Sequence, residues 1–236
     1  MKIEVLFPEI SNIYGDNGNI EYLKKCSSNC EIIETNLGKK PTFLDKKIDL
    51  VYLGSMTERM QEKVISSLIE YKDEISKCIN NNQAILFTGN AIEILGKYIE
   101  NEDGSKVEGL GIIDLYSKRD MMHRYNTLIL AEFNNIKLVG FKSQFSQEYG
   151  DNSKNYFAKV IRGSGINKES KFEGIRINNL IATTILGPIL VLNPIFTKYL
   201  LKDIMGVKEA KIAFEKEAME AYEKRLSEFE DMKRKI

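Results

Sequence analysis

The sequence predicts an α/β chain built on a mostly parallel, doubly wound sheet, and three observations predict it. Short apolar strands open the chain. Two of them, "IDLVYLG" and "AILFT", are near-continuous apolar runs of the kind buried on both faces of a sheet. Between those two lies a segment with apolar residues at helical spacing, the crossover that parallel strands require. The 236 residues, 43% of them hydrophobic, suffice for one substantial core.

Taken in order, "KIEVLF" and "EIIET" read as short strands. In "TERMQEKVISSLIEYKDEISKCIN", Met60, Val64, Leu68, Ile75 and Ile79 share one face, which predicts a single long amphipathic helix. "AILFTGNAIEILG", Ala84 to Gly96, reads as a buried strand, a tight turn at Thr88, Gly89, Asn90 and Ala91, and then a helix. That is the geometry of a nucleophile elbow, which holds a Ser or Cys up to substrate with backbone N–H groups ready for an oxyanion.

From about Gly109 the chain turns strand-rich, through "LGIIDLYS", "NTLILAEF", "IKLVGFK", "YFAKVIRG", "FEGIRI" and "NLIATTIL". Asn134 and Asn135 predict a tight hairpin turn, since both tolerate positive φ. "YGDN" recurs at Tyr149 to Asn152, but its flanks do not match the first copy, so the repeat reads as convergent turn chemistry. "NPIFTKYLLKDIMG" predicts a helix with Asn193 as N-cap, Pro194 at its first position and Gly206 as its stop. Residues 1–206 form the expected domain. The tail, 207–236, predicts an amphipathic helix whose stripe of Phe214, Ala218, Tyr222, Leu226, Phe229, Met232 and Ile236 docks on the protein's own body or on a partner.

Lys+Arg and Asp+Glu are both 34, so the formal net charge is zero and no basic footprint argues for nucleic acid or an anionic membrane. No apolar run is long enough to span a bilayer, and "MKIEVLF" lacks a leader's apolar region, which predicts a cytoplasmic protein. The three cysteines, Cys26, Cys30 and Cys78, lack the second pair a structural zinc site needs and read as free thiols. His123, the one histidine, reads as a surface or packing residue. Asp16, Glu58 and Glu93 have no recognisable metal-ligand spacing, so no metal and no cofactor is expected.

"NIYGDNGNI" (Asn12 to Ile20), "GLGIIDLYSKRD", "VGF" at Val139 to Phe141 and "LGPILVLNPIFTKYLL" together resemble one family, and their order and spacing make the match specific. The chain resembles the class I glutamine amidotransferase-like proteins of the CobB/CobQ type, most closely the GatD-type subunits of lipid II isoglutaminyl synthase. The resemblance implies a flavodoxin-like class I amidotransferase fold with an appended C-terminal helix. It also implies a hetero-complex with a Mur-ligase-like (MurT-like) subunit in peptidoglycan precursor amidation.

The family's elbow reads C-G-G-Y-Q-L-L-G, and alignment back from Leu95 and Gly96 places Glu93 at its Gln and Gly89 at its nucleophile. The family's G-T-Y-L-H-G-P aligns with "ATTILGP", so its histidine falls on Leu186. G-F-E-N-H aligns with "GFKSQ", which puts Lys142, Ser143 and Gln144 at its last three positions. The G-G-G-Q-D-R-E-Q loop, which the resemblance places near the oxyanion hole, aligns with "GSMTERMQ": Gly54 is kept, while Ser55 and Met56 replace glycines. Nucleophile and base are thus both missing, which leaves a degenerate pocket around Gly54, Ser55, Met56, Asn90, Lys142 and Gln144.

Three readings of function stand open: a non-catalytic structural or regulatory subunit docking through Tyr14, Asp16 and Asn19 of the polar loop; a sensor of glutamine or another small amino acid; and an enzyme rebuilt from Thr88, Glu93, Lys142 and His123.

Overall fold

The computed structural model describes residues 1–233. The first half runs β1 (Lys2–Leu6), α1 (Asn17–Cys26), β2 (Glu31–Thr35), β3 (Leu50–Leu53), α2 (Glu58–Leu68), α3 (Lys72–Asn80), β4 (Ile85–Thr88), α4 (Ala91–Ile94), β5 (Tyr98–Glu100), β6 (Lys106–Glu108) and β7 (Tyr116–Arg119). The second half runs β8 (Tyr125–Phe133), β9 (Ile136–Gln144), β10 (Ser146–Tyr149), β11 (Ala158–Arg162), β12 (Phe172–Glu173), β13 (Ile175–Ile177), β14 (Leu180–Thr183), α5 (Ile189–Leu192), α6 (Pro194–Tyr199) and α7 (Glu215–Glu230).

The main sheet has the order β13-β14-β4-β3-β1-β2 and is parallel except for the edge strand β13. Its central strands β3, β4 and β14 are buried at every position, as their continuous apolar runs require. One core lies on each face, the first around Leu53, Phe87 and Ile92, the second around Ile3, Leu86 and Phe196. An antiparallel sheet, β12-β11-β8-β9, and a small mixed one, β10-β7-β5-β6, complete the molecule. The doubly wound arrangement places the C-terminal ends of β3, β4 and β14 side by side, the location where open α/β sheets carry their sites.

The long outer strand β9 has β8 on one side only, and four elements seal its other edge. The Tyr222 hydroxyl of α7 donates to Lys137 O at 2.8 Å. Asn193 accepts from Val139 N–H at 2.8 Å and donates to Val139 O at 2.9 Å. Phe141 and Leu186 exchange backbone bonds at 3.2 and 2.9 Å. The Tyr14 hydroxyl donates to Ser143 O at 3.0 Å. An exposed edge would invite pairing with another chain, and here each of these outward groups is answered.

Several elements depart from the expectations. The long helix is two, α2 and α3, joined by a 3₁₀ turn at Ile69–Tyr71; its apolar stripe has a gap between Leu68 and Ile75, where a tightened turn sacrifices no buried contact. "LGIIDLYS" forms strand only from Tyr116. Before it the chain runs against the end of α4, with Gly109 so close to Gly96 that a Cβ there would lie 2.2 Å from Gly96 O. "FEGIRI" is broken into β12 and β13 by Gly174 at φ +62°. Asn193 makes no side-chain cap, because its amide is committed to β9 and to Ile189 O. In the tail stripe, Tyr222 and Phe229 are buried with Leu226 beside them against Leu130 and Val139, whereas Phe214 is 65% and Met232 78% exposed. Phe214 adopts a left-handed φ of 53° and Met232 follows the helix end, so neither lies on the packed face. Ile236 lies outside the described residues. The Asn134–Asn135 turn has the expected positive φ values of 47° and 62°.

Replacing Asn193 with Ala strips partners from three buried backbone groups. Asn193→Ala is expected to lower stability by about 2–4 kcal/mol, read as a fall in urea midpoint at unchanged slope.

Candidate functional site

The turn after β4 keeps an elbow's backbone. Gly89 sits at φ +61°, the left-handed region that an exposed nucleophile adopts at a strand-to-helix junction. A Cβ added there would lie 2.3 Å from Ser55 Oγ and 3.1 Å from Leu186 Cδ2. The two positions at which the resemblance sets a thiol and an imidazole therefore face one another, but Gly89 offers no side chain and Leu186 no proton acceptor.

Ser55 occupies the room a nucleophile would need, and its hydroxyl donates to Asp16 Oδ2 at 2.8 Å. The loop's backbone donors are also consumed. Ser55 N–H donates to Asp16 Oδ2 at 3.3 Å and Met56 N–H to Asn90 Oδ1 at 3.0 Å, while Asn90 Nδ2 returns a bond to Met56 O at 2.7 Å. Donors already paired with carboxylate and amide oxygens cannot also hold an oxyanion. Gly54 remains obligatory for packing, since a Cβ there would lie 2.4 Å from Ser11 O.

Above the turn opens a cavity of about 160 Å³. Ser55, Met56, Asn90 and Gln144 line it, together with Glu93, Glu148, Arg124 and Thr184. Two of the expected pocket residues lie elsewhere. Gly54 is behind the loop, and Lys142 points away, fully buried, donating to Glu173 Oε2 and Gly165 O at 2.5 Å each. Glu173 also accepts from Thr183 Oγ1 and Thr184 N–H at 2.8 Å, so the ion pair is saturated by fixed donors.

The residues offered for a rebuilt enzyme are not assembled. Thr88 is fully buried beneath the turn, bonded to Asp16 and to Tyr52. His123 is a surface residue, its side chain 80% exposed and paired with Asp120. It lines a second cavity of about 220 Å³ that shares Gln144 and Phe145 with the first. Of the four, Glu93 alone reaches the main cavity.

The polar loop is likewise not the exposed surface its composition predicts. Asp16 and Asn19 are 2% and 0% exposed. Asn19 bridges Tyr52 OH and Leu190 N–H at 2.9 Å each, and Tyr14 is half-buried with its hydroxyl on β9. Burial raises the Asp16 carboxyl above the usual range against the opposing bonds from Ser55 and Thr88. The loop is a structural joint; of this segment Ile13 is exposed, at 45%.

Two buried glutamates carry the site's electrostatics. Glu93 accepts from Ser146 Oγ and from Gln61 Nε2, yet burial pushes its carboxyl up to about 7. Glu148 is 1% exposed, and neither of its oxygens has a hydrogen-bond partner. Burial, reinforced by Glu93, raises it well above the ordinary carboxylate value. Sequence reasoning passed over Glu148 and Glu173. The alternation Ser146, Gln147, Glu148, Tyr149 in β10 was the available signal, but it does not say that the Ser/Glu face turns inward.

Residues 2–191 match the CobB/CobQ-like glutamine amidotransferase domain. The chain belongs to that family. It is 30% identical over 195 residues to the lipid II isoglutaminyl synthase (glutamine-hydrolyzing) subunit GatD of Staphylococcus aureus (strain N315), covering 81% of this chain and 79% of the relative. To the subunit of the same name from Streptococcus pneumoniae (strain ATCC BAA-255 / R6) it is 25% identical over 197 residues, 82% of this chain and 76% of that one. A crystal structure of a glutamine amidotransferase superposes with a TM-score of 0.59 at 14% identity, covering 86% of this chain and 99% of that one. PurLQS of Thermotoga maritima gives 0.54 at 11% identity, covering 95% and 98%. These confirm the class I amidotransferase-like α/β fold. Among the described residues of this CobB/CobQ-like chain, no helix is long and apolar enough to cross a membrane.

Two outcomes are expected. Gly89→Cys places a Cβ against Ser55 at positive φ and should destabilise by on the order of 1–3 kcal/mol; adding Ser55→Gly should recover part of that loss, read by denaturant midpoints. The Glu93 carboxyl is raised from 4.5 to about 7. Between those values the folded chain keeps a proton that the unfolded chain releases, so stability falls as pH rises through that window. Glu93→Gln should flatten this slope, by up to about 3 kcal/mol across the window, in melts taken at successive pH values.

Proposed function

We propose that this protein is a GatD-like amidotransferase homologue that has lost glutaminase chemistry and acts as a structural or regulatory subunit beside a MurT-like ligase in peptidoglycan precursor amidation. The observation that carries this reading is the facing pair Gly89 and Leu186, which keeps the dyad's geometry without its thiol or its base. The committed N–H groups of Ser55 and Met56 support it independently. The partner comes from the relatives, both named as subunits of a synthase. The open cavity supports a second reading, in which the same chain binds glutamine or another small amino acid.

The purified protein should release no ammonia from glutamine above background, because a nucleophile and its base act as a unit and losing either removes several orders of magnitude in rate. Glutamine turnover that Thr88→Ala abolishes would overturn the reading. Tagged protein isolated from its host under gentle lysis should bring down a larger ligase-like chain, and Ile13→Asp, at the exposed tip of the loop beside the cavity, should weaken that association. Recovery of the wild-type chain alone, with glutamine bound at micromolar affinity, would favour the sensor.

A further inference from the structure

The two cavities share a wall. Gln144 and Phe145 line both, and beyond them β10 alternates between the two: Ser146, Gln147 and Tyr149 line the cavity of about 220 Å³, and Glu148 the one of about 160 Å³. β10 is an edge strand paired with β7 alone. Its other edge meets only a loop, through Glu148 N–H to Ile166 O at 3.1 Å and Asn167 Nδ2 to Glu148 O at 2.8 Å. Its inward positions are Ser146 and Glu148, 5% and 1% exposed, so no apolar side chain ties the strand to the core. On the outer face the Tyr149 ring stacks on Tyr116 at 5.6 Å. A short edge strand without an apolar anchor belongs to the low-stability end of a fold, where segments open locally.

We propose that β10 is a proton-held partition between the two cavities: it stays seated while Glu148 carries its proton, and it leaves β7 when Glu148 ionises, joining the two spaces into one. Neither Glu148 oxygen has a donor, so nothing in the seat replaces the water that an ionised carboxylate needs. The surrounding charges act in the same direction. Glu93 of α4 and Glu173 of β12 repel the anion, while Lys142 of β9, which attracts it, is already bonded to Glu173. Arg119 of β7 and Glu58 of α2 bear on Glu93, and Arg119 is itself bonded to Glu62, Gln61 and Asn101. Arg124 lines the smaller cavity with its guanidinium 4.4 Å from the Phe145 ring centroid, and Lys168 and Glu169 line the larger one. Ser146, the other inward residue, donates to Glu93, which loses that donor when the strand departs.

Ionisation sets the direction. Burial raises the seated Glu148 carboxyl well above its ordinary value of 4.5, whereas on the released strand it stands in water and titrates near that value. Between the two values the seated strand keeps a proton that the released strand gives up. Release therefore becomes about tenfold more favourable with each pH unit, and the seat is firmest in acid.

The test is amide hydrogen exchange on the full chain at successive pH values from about 5.5 to about 7.5, corrected for the intrinsic rate, with the β4 amides of the main sheet as the internal reference. The expected result is an opening equilibrium for the β10 amides that rises by about tenfold per pH unit relative to β4. Glu148→Gln keeps the side chain's shape but has no proton to lose, and it should remove most of that slope. A carbon-13 titration of the Glu148 carboxyl in the wild type reads the same link without a substitution, through an apparent pKa well above 4.5. The proposal is overturned if β10 opening rises no faster with pH than that of β4, if Glu148→Gln keeps the wild-type slope, or if Glu148 titrates at its ordinary value.

Discussion

The outer edge of β9 is where four separate segments of this molecule are joined. Lys137, Val139, Phe141 and Ser143 turn backbone groups away from β8, and Tyr222, Asn193, Leu186 and Tyr14 answer them in succession. Those four residues come from α7, the α5–α6 junction, the segment after β14 and the loop before α1. A single strand edge therefore fixes the C-terminal helix, the wall of the cavity and the polar loop relative to one another. Leu186 is held by backbone pairing, which does not depend on its side chain. The Leu186 backbone therefore stays beside Gly89 whatever side chain it carries.

Just inside that edge the strand's side chains do a different job. Lys142 crosses to Glu173, and Glu173 in turn anchors Thr183 and Thr184 at the end of β14. A buried ion pair is weak support for stability on its own, since desolvation offsets much of the attraction. Here it acts as a clamp between the antiparallel sheet and the main sheet, and it withdraws Lys142 from the cavity. With the lysine committed to Glu173, no donor reaches Glu148, and burial raises its carboxyl well above the ordinary carboxylate value.

The fold class was legible because the strands β3, β4 and β14 advertise burial on both faces in their own residues, and the elbow because Gly89 and its flanks encode the turn. The hairpin at Asn134 and Asn135 was legible for the same reason: the conformational demand sits on the residue that meets it. Asp16, Asn19 and Lys142 were misplaced because their surroundings come from afar in the chain. Asp16 is buried by Ser55 and Thr88, Asn19 by Tyr52 and Leu190, Lys142 by Glu173. A polar residue on a Gly-rich loop reads as exposed until those contacts are known. Glu148 was invisible for a further reason: strand periodicity gives a face but no direction, and a Ser/Glu face is expected to point outward.

The residues around the turn form one connected set. With a side chain at position 89, Ser55 would clash; without one, the Ser55 hydroxyl fills the gap and finds Asp16. Asp16 then gathers Ser55 N–H and Thr88 as well, and Asn90 ties down Met56 N–H from the other side. Each bond stabilises the next, because every donor taken from the pocket leaves fewer free groups to be desolvated. A thiol introduced at position 89 would therefore meet a loop already bonded across that space, and making room for it would require reopening that network as a unit. The same closure did not extend to Glu148, whose oxygens find no donor. The polar group left unanswered beside the turn is therefore one buried carboxyl, held well above its ordinary value by desolvation.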